Sequence, residues 1–215
     1  MSMSAALSFK KVTAANYFQE LSFEVDLGSS LVIVTAGEDE STVLMRLITG
    51  LTAPASGTVL VEGQSPTELQ QTQLYQLRQQ IGIVSSNGGM ISNLKLWENI
   101  TLPLLYRTGH ITAEIEETGV NWLIKLGYSG NLMAMPAHLT QNDKRLAAFV
   151  RAMLSQPRIM LYCNCFEDMP PATRKCFATA TAEFHAESVV RASIYCTSSA
   201  ETARDLPADT ILSLH

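Results

Sequence analysis

Charged residues are scarce in this chain. Asp, Glu, Lys and Arg make up 16% of its 215 residues, and 15 basic side chains stand against 20 acidic ones. The net charge of −5 argues against nucleic acid as the main partner, because phosphate binding relies on clustered basic residues. Hydrophobic residues reach 47%, which is typical of a globular chain. With so few charges, the chain has more apolar surface than an isolated monomer usually shows, which favours a protein that functions as part of a complex.

Long apolar runs are missing as well. None approaches the roughly 20 residues that span a bilayer. The N-terminal stretch MSMSAALSFKKV lacks the charged n-region and the apolar h-region of a signal peptide. We therefore expect a cytoplasmic protein. Cysteines number only four, and no His or Cys pair with zinc spacing accompanies Cys163-x-Cys165. We expect reduced core thiols and no metal site.

The stretch LVIVTAGEDESTVLMRLITGL, residues 31–51, has the outline of a phosphate-binding loop. An apolar run over residues 31–34 predicts a buried strand, and a polar turn over residues 35–40 follows it. Apolar residues at helical spacing then predict a helix that opens at Ser41-Thr42. The Walker A motif, G-x-x-x-x-G-K-[S/T], lies at such a strand-to-helix junction.

The chemistry of that motif is altered in this chain. Gly37 survives, as do the hydroxyls of Ser41 and Thr42, but Asp39 stands at the last glycine and Glu40 at the lysine. These five residues are the candidate cofactor-binding positions, as a degenerate phosphate loop.

The remaining patterns alternate between strands and helices. Residues 7–34 read as β-rich, and residues 87–151 carry helical apolar faces with breaks expected at Pro103, Gly109 and Gly127. A buried strand, a helix and another buried strand follow. This order predicts one α/β domain over residues 1–215, with a helical subdomain inserted at residues 87–151.

Three stretches resemble the nucleotide-binding subunit of ATP-binding cassette (ABC) transporters. They are LSFEVDLGSSLVIVTAGEDESTVLMRLITGLTAPASGTVLVEGQ, LRQQIGIVSSNGGMISNLKLWENITLPLL and LTQNDKRLAAFVRAMLSQPRIMLY. Their order and spacing match that family over residues 7–215. The resemblance implies a P-loop NTPase-like core with an N-terminal antiparallel β subdomain and an inserted α-helical subdomain.

Most functional positions of the family are replaced in this chain. The replacements are Ser86 for a glutamine, Leu139–Asp143 for the LSGGQ signature, Cys163 and Asn164 for the Walker B Asp-Glu pair, Pro170 for an aspartate and Ser198 for a histidine. Tyr17 is the nearest aromatic candidate for stacking on adenine. The resemblance therefore implies no catalytic residue here.

Charge is the main physical consequence of these replacements. At about 4 Å and an effective dielectric of about 20, each carboxylate facing a phosphate costs about 4 kcal/mol. Cys163 is a poor ligand for hard Mg²⁺, and Asn164 cannot accept a proton from water. We therefore expect no cofactor, with ATP and Mg²⁺ binding poorly. Asp39 or Glu40 either folds over the loop and caps its N–H groups, or is solvated, or binds a cation.

The scaffold patterns survive where the catalytic ones do not. This contrast predicts a non-hydrolysing, structural or regulatory ABC-ATPase-like subunit that docks on a membrane permease. Such a subunit would form a homodimer, or a heterodimer with another nucleotide-binding subunit, peripheral on the inner face of the cell membrane. The stretch NLKLWENITLPLL is similar to the lipid and lipoprotein transport branches. The alternatives are a scaffolding or regulatory protein outside transport, and a nucleotide binder that does not hydrolyse.

Overall fold

A computed structural model describes residues 5–214 of the chain. Its strands are β1 (Ala5–Ala14), β2 (Phe18–Asp26), β3 (Ser30–Val34), β4 (Ser56–Val61), β5 (Ile81–Ser85), β6 (Ile159–Cys163), β7 (Ala192–Thr197) and β8 (Thr210–Ser213). Its α-helices are α1 (Glu38–Ile48), α2 (Gln71–Gln79), α3 (Leu96–Thr108), α4 (Ala113–Lys125), α5 (Gln141–Leu154), α6 (Pro171–Ala186) and α7 (Ala200–Asp205). Within this range, no helix combines the length and hydrophobicity that crossing a membrane requires.

The strands form two sheets. An antiparallel sheet has the order β2-β1-β4, and a parallel sheet has the order β5-β6-β7-β3-β8. The inner strands of the parallel sheet are covered on both faces, which is why β3 and β6 read as continuous apolar runs. The predicted α/β core with an N-terminal antiparallel sheet and helices inserted between β5 and β6 is confirmed.

Two hydrophobic cores lie on opposite faces of the parallel sheet. One is shared with α1 and the antiparallel sheet, and it includes Leu31, Ile33 and Leu161. The other is shared with α3, α5 and α6, and it is rich in aromatic side chains. Phe149 of α5 makes edge contacts with Phe177 and Phe184 of α6 there. These cores fix the sheet between two layers of other elements.

The inserted helices differ from the sequence pattern at one point. Helix α3 continues through Pro103, where a break was expected. Proline removes one backbone bond, but the buried stripe of Leu96, Ile100 and Leu104 holds the helix on both sides of it. Helix α5 ends at Leu154, before Pro157. The division into one domain with an inserted subdomain stays a prediction.

Candidate functional site

The carboxyl ends of the parallel strands bring four segments to one edge of the sheet. They are residues 35–37 after β3, 86–95 after β5, 164–170 after β6 and 198–199 after β7. Ligands of open α/β sheets bind at this edge. The edge therefore collects the predicted phosphate-loop residues together with Ser86, Asn164 and Ser198.

Helix α1 begins earlier than predicted. It starts at Glu38, whereas the sequence pattern placed its opening at Ser41-Thr42. Glu38, Asp39 and Glu40 form its first turn, where acidic side chains are stabilised by the helix dipole. The phosphate loop is thus shortened to residues 35–37, with the carboxylates on the helix itself.

Glu40 is folded back over this shortened loop. Its side chain is 3% exposed, and its Oε2 accepts a hydrogen bond of 2.7 Å from the backbone N–H of Ala36. The Ser41 hydroxyl lies 3.0 Å from that of Thr35, inside the same loop. Of the two carboxylates for which capping was weighed, Glu40 makes the contact and Asp39 is exposed. Thr42 is also exposed.

Ser86 connects the phosphate loop to the inserted helices. Its hydroxyl donates to the Glu38 carboxylate. Its carbonyl accepts hydrogen bonds from Gln141 Nε2 at 2.5 Å and from Arg145 Nε at 2.7 Å, both on α5. The following segment lies close to α5, since a Cβ added at Gly88, where φ is +71°, would lie 2.6 Å from the Lys144 carbonyl oxygen. Ser86 therefore holds α1 and α5 at one point.

Cys163 and Asn164 occupy the end of β6. Cys163 pairs in register with Cys196 of β7, and both thiols are buried. The hydrogen bond with Cys163, burial and nearby Glu40 all raise the pKa of the Cys196 thiol well above its ordinary value. Asn164 is 4% exposed, its backbone N–H donates to the Cys196 carbonyl, and its φ is +50°. The Asn164 Oδ1 atom is buried and has no hydrogen-bond partner.

Glu167 and Arg145 are parts of this edge that the sequence did not reveal. Glu167 Oε1 accepts from the Thr197 hydroxyl and, at 3.0 Å, from the Ser198 backbone N–H. Arg145, which is 5% exposed, donates from Nη1 to the Glu167 carbonyl at 2.6 Å. The only sequence signal was an acidic residue just after the strand that ends in Cys163. These contacts join the segments after β5, β6 and β7.

The segment aligned with the family's signature forms the start of α5. Thr140 and Asp143 form a reciprocal capping box, with Asp143 N–H donating to the Thr140 hydroxyl at 3.1 Å and Thr140 N–H to Asp143 Oδ2 at 3.0 Å. Such a box satisfies backbone donors that a helix otherwise offers to an anion.

Tyr17 lines a cavity of about 500 Å³. The cavity lies between the β1–β2 turn and the end of β8, where Leu214 N–H donates to the Val34 carbonyl. Val34 is the last residue of β3, so the cavity lies near the carboxyl end of that strand.

Within the described range, no three His, Cys, Asp or Glu side chains are grouped to hold a metal ion. Cys176 is exposed, unlike the buried Cys163, Cys165 and Cys196.

Comparisons with known proteins agree on one family. Residues 18–166 match the family model described as ABC transporter. The methionine import ATP-binding protein MetN of Haemophilus influenzae is 29% identical over 167 residues, which cover 78% of this chain and 47% of the relative. MetN 2 of Pseudomonas aeruginosa is 30% identical over 152 residues, covering 71% and 45%. The chain thus spans about half the length of the curated relatives it matches.

Solved structures show the same fold. A dimeric post-hydrolysis state of the ATP-binding cassette MJ0796, bound to ADP and Pi, superposes with a TM-score of 0.79 at 19% identity, over 96% of this chain and 93% of that one. An ATP-binding subunit of an ABC transporter gives a TM-score of 0.81 at 21% identity, over 98% and 86%.

The expectation that ATP and Mg²⁺ bind poorly is wrong. The curated relatives at 29–30% identity are ATP-binding proteins by name, and the family model covers the segment that holds the altered loop. The predicted repulsion requires both the Asp39 and the Glu40 carboxylates to face a ligand. Glu40 instead faces a backbone N–H of its own loop.

Proposed function

The chain belongs to the ABC transporter family, and from this membership we propose that it is a transporter's ATP-binding subunit that holds nucleotide without hydrolysing it. The observation that carries the proposal is the Asn164 side chain at the end of β6. The family resemblance places a carboxylate that activates water at that position. The membership, the loop and Asn164 together support a subunit with a structural or regulatory part in transport.

An amide side chain at Asn164 removes the means of hydrolysis but leaves nucleotide binding possible. A carboxylate can take a proton from the attacking water, and an amide cannot, which typically removes a factor of about 10² to 10⁴ in rate. An amide can still accept and donate hydrogen bonds. The buried Oδ1 of Asn164 has no partner in the protein, so it suits a bound water or a phosphate-bound water. The site therefore fits a retained nucleotide.

Tyr17 supports a place for the base of the nucleotide. Its side chain borders the cavity near the end of β3 and is 42% exposed. A tyrosine ring can stack on a purine with little sequence-specific geometry. The base and the phosphates of the nucleotide would then both lie near the carboxyl end of β3.

A groove between α2, β5, α3 and α5 supports docking on a membrane permease. Its cavity measures about 480 Å³ and is lined by Tyr75 of α2, Ile83 of β5, Tyr106 of α3 and Arg151 of α5. Tyr75 and Tyr106 are 54% and 79% exposed. Large apolar side chains that are exposed next to one another often mark an interaction site. Exposed aromatics around an apolar groove suit a short amphipathic helix. We assign a cytoplasmic helix of the permease to this groove.

Assembly and cargo are further parts of the proposal. The subunit would pair with a second copy or with another nucleotide-binding subunit, and it would lie on the inner face of the membrane through its permease. The stretch NLKLWENITLPLL supports lipid transport, whereas the relatives' name supports import of a small molecule. Co-purification of the complex and identification of its bound cargo separate these two classes.

The test is to recover the bound nucleotide chemically. Purified protein is incubated with Mg²⁺ and α-labelled ATP, separated from free nucleotide by rapid filtration, and its bound label is chromatographed. We expect the label to be recovered as ATP over a time in which an active cassette converts it to ADP. The variant Asn164→Glu, which restores a carboxylate, is the matched comparison. ADP accumulating on the wild-type chain, or no retained label, would contradict the proposal.

A further inference from the structure

Glu40 differs from its two acidic neighbours in where its carboxylate lies. Glu38 and Asp39 are exposed, whereas Glu40 is buried and hydrogen-bonded to the loop. Glu40 therefore points into the phosphate loop and not toward solvent.

The Glu40 carboxylate accepts a hydrogen bond from a backbone N–H of the loop, as a phosphate would. Loops of this type bind anions through backbone N–H groups, and here the Ala36 N–H donates to Glu40 Oε2 at 2.7 Å. The register places Glu40 at the lysine of the Walker A motif. The chain thus carries its own anion at a position where the motif carries a cation for the ligand.

We propose that Glu40 is a built-in competitor for the phosphates of the nucleotide. In the empty subunit the loop closes on the Glu40 carboxylate, and nucleotide binds as that carboxylate swings out of the loop. This inference rests on the proposed function, in which the same loop holds a nucleotide. It assigns the loop an autoinhibitory contact that sets how tightly the subunit binds.

The competition follows from charge and shared donors. Two anions cannot accept the same N–H at once, and like charges a few ångströms apart repel. Only the open fraction of the molecules can then bind, so the apparent dissociation constant is the intrinsic one divided by that fraction. Removing the charge of Glu40 should raise the open fraction and tighten binding.

Titration with a fluorescent Mg-ATP analogue tests the competition. We compare the wild-type chain with Glu40→Gln, which keeps the size and an acceptor oxygen but loses the charge, and with Glu40→Ala. Glu117→Gln is the control, since it makes the same chemical change at an exposed position of α4, outside the loop. We expect Glu40→Gln to tighten binding about tenfold or more. We expect Glu117→Gln to change binding by less than about threefold, with the change fading at high salt.

Amide exchange of Ala36 provides a readout that does not depend on affinity. In the wild-type chain without nucleotide the Ala36 amide should exchange slowly, and Glu40→Ala should remove that protection. Equal changes in affinity for Glu40→Gln and Glu117→Gln, or unchanged protection of Ala36 in Glu40→Ala, would contradict the proposed competition even if the wild-type chain binds nucleotide. ADP formation in the retention assay would overturn the absence of hydrolysis and leave the competitor standing. Failure of every variant to bind would overturn both.

Discussion

Arg145 connects an inserted helix to two of the loops at the sheet edge. It lies on α5, yet its two donors reach the carbonyls of Ser86 and Glu167, which follow different strands. Charge-assisted hydrogen bonds are about twice as strong as neutral ones. The guanidinium therefore fixes the inserted helices to the sheet without any ligand.

Replacing Arg145 by methionine should loosen this edge. Arg145→Met keeps much of the buried volume but removes both donors, so we expect a loss of about 3 kcal/mol in the free energy of unfolding. Amides of residues 86–95 should exchange faster. Urea unfolding and hydrogen exchange measure the two effects. Arg204→Met, at an exposed position of α7, is the control and should change stability by less than about 0.5 kcal/mol.

Residue-level contacts were the part of the site least visible in the sequence. Gly37, Glu40 and Asn164 lie at one edge of the sheet, because strand order determines which loops meet. Arg145 and Glu167 were missed because their partners lie 22 to 59 residues away along the chain. No local spacing rule links such residues.

Among the elements, β8 is a four-residue edge strand that depends on one carboxylate. Asp209 Oδ2, just before β8, accepts from the Ser30 backbone N–H at 2.7 Å and from the Ser30 hydroxyl at 2.8 Å. These hydrogen bonds lower the pKa of Asp209 below its ordinary value. The carboxylate therefore stabilises the start of the β3–β8 pair when it is ionised.

This contact makes stability depend on pH in a defined window. Because the pKa of Asp209 is lower in the folded chain, its stabilisation is fully present above the unfolded pKa of about 3.9 and is lost as pH falls through the folded pKa. We expect the difference in unfolding free energy between wild type and Asp209→Asn to be constant near neutrality and to shrink below about pH 4. Denaturant melts at several pH values measure it. Ser30→Ala should give a partial effect, and a pH-independent difference would contradict the assignment.

Two helix boundaries were predicted incorrectly from the sequence pattern. Helix α1 starts at Glu38, although helical spacing of apolar residues begins only at Val43, because the helix dipole and the hydrogen bonds of Glu38 and Glu40 stabilise the acidic first turn. Helix α3 passed through Pro103 because tertiary burial outweighed a local penalty. Both errors arise from forces that a periodicity count omits.

At the scale of the whole molecule, the groove between α2, β5, α3 and α5 is where the membrane permease would dock. Tyr106→Glu places a charge at the rim of the groove, so we expect it to abolish co-purification with the permease while leaving the fold and the bound nucleotide unchanged. Val189→Glu is the matched control, since Val189 is 90% exposed in the turn between α6 and β7. Affinity purification from solubilised membranes measures the association. Equal recovery of the permease with both variants would contradict docking at this groove.

The architecture was the most predictable level of description. Continuous apolar runs, helical periods and three family-like stretches were enough for the α/β core, the antiparallel sheet and the inserted helices. The surroundings of the phosphate loop were the least predictable feature, because the sequence does not show that the Glu40 side chain points into its own loop.

The strand order also has a consequence for the chain as it is synthesised. Strand β3 lies between β7 and β8, and Val32 pairs with Tyr195, which is 163 residues later. At roughly 5 to 20 residues per second, β3 waits about 8 to 33 seconds for its first neighbour in the sheet. Meanwhile β1, β2 and β4 can pair locally. On the ribosome, Leu31–Val34 is therefore the apolar segment that a chaperone would shield longest.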